Sequence, residues 1–113
     1  MTLQTKLETF SGILAGAVNN LYHYWRPNMK APYCVWAEDG EGGSFHSGNT
    51  KSEQAVAGSL DYYTKTEFDT VVDTIQSLLN STDAGITISW RLNTVDYEEE
   101  TNLIHWSWEW VIA

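Results

Sequence analysis

The sequence predicts an α+β fold: an antiparallel or mixed β-sheet with two helices packed on one face and a long exposed loop between strands. Three observations carry that expectation. The stretch Leu103–Ile112 alternates cleanly, with Ile104, Trp106, Trp108, Trp110 and Ile112 on one side of an extended chain and His105, Ser107 and Glu109 on the other. Two other stretches place apolar residues at helical three- and four-residue steps. The remaining ordered-looking segments alternate with period 2 and are bounded by glycine, proline and asparagine.

Taken in order, Leu3, Leu7, Phe10, Ile13, Leu14, Ala17 and Val18 form one apolar stripe on a helix of about four turns. Gly12 and Gly16 each weaken it by ~1 kcal/mol against Ala or permit a close backbone approach. Residues 21–25 read as a short strand, and residues 33–37 as a second. Pro27 and Pro32 between them suggest a hairpin with a wide loop. Residues 38–53, acidic and glycine-rich with Phe45 as their one strongly apolar residue, read as the exposed loop. Val56, Gly58, Leu60 and Tyr62 then alternate with Ala57, Ser59 and Asp61 as a third strand.

Thr66 with Asp69 three residues on resembles a capping box, and Phe68, Val71, Val72, Ile75, Leu78 and Leu79 follow at helical spacing. Asn80 to Gly85 ends that helix. Ile86, Ile88, Trp90 and Leu92 predict a strand, Asn93-Thr94 a short turn, and residues 95–98 another strand before the tryptophan strand. Tight turns would make the last three an antiparallel meander. The predicted core comprises Phe68, Val72, Ile75, Leu79, Trp106, Trp108 and Trp110. Each indole can bury ~150–250 Å², or roughly 4–6 kcal/mol at ~25 cal/mol/Å², an upper bound because unfolded chains are already partly compact.

A length of 113 residues fits a single domain over 1–113. Net charge is −9 with six Lys and Arg, which argues against a nucleic-acid binder that works by neutralising phosphates. One cysteine, Cys34, excludes an internal disulfide and fits a reducing compartment. The first residues lack a basic segment and a long apolar core, so no signal peptide is expected, and no apolar run is long enough for a membrane span.

The chemistry-bearing residues fall into no catalytic, metal-binding or cofactor-binding pattern. Glu98-Glu99-Glu100 reads as a solvated turn, since Glu99 opposes its neighbours on a strand. Residues 38–44 offer oxygen ligands and glycine turns but lack the EF-hand spacing. His23, His46 and His105 have no paired spacing with Cys34. The sequon Asn80-Ser81-Thr82 has no secretion signal to accompany it. Trp106, Trp108 and Trp110 read as core before sugar platform, whereas Trp25 and Trp36 flank loops and are expected to be freer to contact a partner.

Laid out in order, Tyr22-His23-Tyr24, Pro32-Tyr33-Cys34-Val35-Trp36, Glu38-Asp39-Gly40, Tyr63-Thr64-Lys65 and residues 101–106 resemble the tail-completion or tail-terminator proteins of long-tailed bacteriophages and prophages. The resemblance spans nearly the whole chain, and its motifs are structural rather than catalytic. It implies a virion protein without enzymatic activity, assembled in the host cytoplasm into a hexameric ring of identical copies. That ring would stop the tail tube protein polymerising, offer a surface to the head connector or stopper protein, and let DNA pass through unbound. The expected partner- or lumen-facing residues are Trp36, Glu38, Asp39, Glu41, Lys51 and Glu53. A head–tail connector ring, and less so a small carbohydrate- or ligand-binding module, are the alternative expectations.

Overall fold

A computed structural model describes residues 1–25, 30–42, 54–82 and 84–113. The chain runs α1 (Leu3–Leu14), β1 (Leu21–His23), β2 (Tyr33–Glu41), β3 (Val56–Thr64), α2 (Thr70–Leu79), β4 (Ile88–Glu98) and β5 (Leu103–Ile112). The five strands form one mixed sheet in the order β1-β2-β3-β5-β4. The fold is α+β, as the alternation and helical stripes require.

The tryptophan strand lies inside the sheet, paired antiparallel to β3 from Ile104 to Ile112 on one side and to β4 along its whole length on the other. Register places Trp36, Leu60, Trp108 and Leu92 in one row, and Trp110 beside Gly58 and Trp90 in another. These residues share the face that carries the helices. Phe10 of α1 meets Trp36 edge-on at 5.7 Å and Trp110 at 4.5 Å, while Gln76 of α2 accepts a hydrogen bond from Trp108 Nε1 at 3.1 Å. Leu7, Phe10, Leu14, Val72, Ile75 and Leu79 close over the sheet and are all buried. Trp108 and Trp110 are fully enclosed; Trp106, nearer the uncovered end, is half-buried against the same core.

Glycine is required at Gly58: a Cβ there would lie 2.1 Å from the Ala37 carbonyl and 2.3 Å from the Trp110 ring. The indole occupies the space that a side chain would take. Gly16 lets the end of α1 approach Leu78 of α2, whereas Gly12 faces open space.

Four expectations need correction. First, β1 and β2 are not a hairpin: they pair parallel, Leu21 to Cys34 and His23 to Trp36. Tyr24, at φ 77°, turns the chain out of β1, and a strand of only three residues leaves a short distance for the return. Second, the acidic residues Glu38, Asp39 and Glu41 belong to β2, not to a loop, and pair with Val56–Gly58 across a bulge at Asp39. Third, Asn93-Thr94 is not a turn. β4 is continuous and bulges at Asn93, so five strands replace the expected six. Fourth, α2 is capped by Asp69 rather than Thr66, and Phe68 lies outside the core at 96% exposure.

The last correction has a clear cause. The Asp69 carboxylate accepts from the Val71 amide at 2.9 Å and from the Tyr62 and Thr64 hydroxyls at 2.7 Å each. Two hydroxyls from β3 thus fix where the helix starts, and Phe68, at φ 55°, is turned away from the sheet. α1 is also shorter than its stripe, ending at Leu14, though Ala17 and Val18 still pack on the core through the turns that follow.

Candidate functional site

The two edges of the sheet carry the features that the core does not explain. At the β1 edge, the His23 ring stacks between Tyr24 at 3.7 Å and Trp36 at 3.9 Å. His23 Nε2 lies 2.6 Å from Glu38 Oε1, and the Tyr24 hydroxyl donates to the other Glu38 oxygen. Partial burial pushes the Glu38 carboxyl upward, but the hydrogen bonds from Tyr24 and His23 outweigh it and hold the group below the usual glutamate range. The same hydrogen bond raises the Tyr24 phenol. The left-handed backbone of Tyr24 is held by its amide, which donates to the Trp36 carbonyl at 2.8 Å. Beside this stack, Trp25 is 66% exposed and leans towards Tyr22 at 6.4 Å.

Among the expected partner-facing residues, Trp36 is therefore corrected: it is 2% exposed and belongs to the core between Phe10 and His23. Its neighbour in the prediction, Trp25, is the exposed indole. Glu38 is engaged with His23 and Tyr24, while Asp39 and Glu41 are exposed at the end of β2. Glu41 accepts from Gln54 Nε2 at 3.1 Å, which ties the end of β2 to the approach of β3. Lys51 and Glu53 lie outside the described residues, as does most of the expected loop.

The opposite edge is β4. Its first half packs: Ile88 is half-buried and Trp90 donates from Nε1 to Asn80 at the end of α2, 2.9 Å away. Its second half does not. The bulge at Asn93 shifts the alternation by one residue, so Leu92, Val95 and Tyr97 line up on the helix-bearing face although their numbers change parity. They are 41%, 49% and 55% exposed. Sequence reasoning missed this strip because it read the parity change as a turn. The signal was present: even-numbered apolar residues up to Leu92 give way to odd-numbered ones at Val95 and Tyr97, as a bulge requires.

The face away from the helices carries a third arrangement. Tyr33 and Tyr63 stack at 4.9 Å, Tyr63 and His105 at 4.3 Å, and His105 Nε2 lies 2.7 Å from Asp61 Oδ1. These are cross-strand neighbours on β2, β3 and β5, so the row acts as a rung that locks register. Cys34 sits buried on the helix-bearing face, and burial, with a smaller push from Asp61, raises its thiol far above the ordinary value. Among the described residues, no three or more His, Cys, Asp or Glu side chains gather as metal ligands. Nor, among those residues, is any helix long and apolar enough to cross a membrane.

No family model matches the chain, and no curated protein does.

Proposed function

We propose that this chain is the subunit of a ring that caps the head-proximal end of a bacteriophage tail tube, ends its polymerisation and joins the tail to the head. One observation carries the reading. Of the eight large apolar side chains that are exposed among the described residues, five sit at the two opposite edges of the sheet: Tyr24 and Trp25 by β1, and Leu92, Val95 and Tyr97 on β4. A closed ring of identical copies needs two different, complementary patches on opposite sides of each subunit. A twofold dimer needs only one. The edge of β4 also offers a row of backbone groups over eleven residues for pairing with a neighbour.

The resemblance to tail-terminator proteins supplies the context. Its element order of helix, strands with a long central segment, helix and strands is the order of α1 to β5. Six copies at −9 each would carry about −54, which suits a channel that DNA traverses without sticking. Asp39 and Glu41 are the exposed acids that would line or approach it.

The direct test adds purified protein to polymerising tail-tube subunits and images the products. The reading expects a six-fold ring at one end of each tube and arrested growth. A twelve-fold ring that leaves tubes growing would make the chain a connector instead. A strict monomer whose indole fluorescence responds to glycans would make it a small binding module. Asp39→Lys with Glu41→Lys should leave ring formation intact and lower infectivity; unchanged infectivity would remove the channel assignment.

A further inference from the structure

We propose that the start of α2 is a two-position switch, in which Phe68 and Asp69 compete for one place against the sheet. The inference holds whether or not the chain forms a ring. In the form described above, α2 begins at Thr70 and Asp69 is its N-cap. The Asp69 carboxylate turns towards the sheet, bonded to the Val71 amide and to the Tyr62 and Thr64 hydroxyls of β3. Phe68 is left 96% exposed at φ 55°, a left-handed backbone that a bulky side chain rarely adopts. The bare ring and the strained backbone both count against this form.

The residues for a second form are already in line. Phe68 shares one helical stripe with Val72, Ile75 and Leu79, the three buried residues of α2. One more turn of helix, begun at Thr66, carries Phe68 onto the sheet side, just N-terminal to Val72. Thr66 with Asp69 three residues on is close to a capping box, which would turn the Asp69 carboxylate back to the Thr66 amide. That amide now donates to the Thr64 hydroxyl at 3.1 Å. The receiving end of the sheet is open: Lys65, Glu67, Tyr97, Asn102 and Ile104 line a cavity of about 470 Å³, and Ile104 and Trp106 are half-buried. Against the longer helix stand the buried Tyr62 and Thr64 hydroxyls, which would lose their charged acceptor. That loss keeps the short form dominant, while burial of the ring and relief of the backbone hold the long form within reach. The switch decides whether an apolar side chain is displayed near Tyr97 or folded under α2.

Relaxation-dispersion NMR on the whole chain tests this, since it detects minor forms of roughly 0.1–10% that exchange in microseconds to milliseconds. The switch expects exchange at residues 66–70, Ile104 and Trp106, with helical minor-form shifts at Phe68. Tyr62→Phe combined with Thr64→Val removes both hydroxyls at nearly constant volume and should raise the long form about tenfold or more. Phe68→Gly suits the left-handed backbone and has no ring to bury, so it should abolish the exchange; its exposed position keeps the fold intact even if the double variant does not fold. A wild-type chain without exchange at these positions overturns the switch, and so does exchange that Phe68→Gly leaves unchanged.

Discussion

Asp69 shows how one side chain sets a boundary in this fold. It caps α2 and accepts from two hydroxyls of β3, so a single carboxylate joins helix to sheet. Partial burial works against its charge, yet the bonds from Thr64, Val71 and Tyr62 prevail and hold its pKa below the ordinary aspartate value of 3.8. A group whose folded value is depressed contributes stability that is full above the unfolded value and is lost as pH falls through the folded one. Wild-type stability should therefore decline below about pH 4, and Asp69→Ala should flatten that decline. At neutral pH the substitution should cost ~2–4 kcal/mol, from a lost cap and two hydroxyls left without their acceptor. Denaturant melts at pH 7 and pH 3 check both: an equal loss at the two pH values would contradict the assignment. Phe68 makes the complementary point. Its spacing put it on the apolar stripe, but the Asp69 bonds start the helix after it, and spacing alone carries no information about partners from a distant strand.

Elements were legible in the sequence where one physical rule governed them. β3 and β5 alternate because one face is buried, and both lie where the alternation put them. Helix α2 follows its stripe from Val71 onward. The errors occurred where a strand changes phase. Asn93 is a bulge that reads as a turn, because a single extra residue breaks the parity that marks a continuous strand, whereas the end of β2, with its bulge at Asp39, reads as loop because it is acidic and glycine-rich. The direction of β1 was illegible for a different reason: three residues carry too little pattern to distinguish parallel from antiparallel pairing. Of the expected site, the exposed acids were readable from composition, but the β4 strip was hidden by its bulge and the burial of Trp36 by its contacts with Phe10 and His23.

Strands β4 and β5 should differ accordingly. Trp108→Ala on β5 removes a fully buried indole and should cost about 3–5 kcal/mol, enough to unfold a marginal domain. Val95→Lys on β4 lies at an exposed position and should change monomer stability by no more than about 0.5 kcal/mol while weakening association. Circular dichroism melts paired with light scattering separate the two. A folded Trp108→Ala protein that fails only to assemble would move the tryptophan strand from core to interface.

At the scale of the whole molecule, the helices cover one face of the sheet, and among the described residues the exposed large apolar side chains concentrate at its two edge strands. Buried area does not convert directly to affinity, but aromatic anchors such as Trp25, Tyr24 and Tyr97 are the residue types that dominate binding energy when enclosed. In the ring we propose, copies join head to tail, the β1 edge of one against the β4 edge of the next. One mixing experiment tests it most directly. Trp25→Asp spoils the first patch and Val95→Lys the second, so each variant alone should lack one half of every contact and remain monomeric. Mixed in equal amounts, each has the patch that the other lacks, and native mass spectrometry should find a heterodimer that grows no further. If the mixture stays monomeric, or if either variant alone still forms rings, the head-to-tail account is wrong.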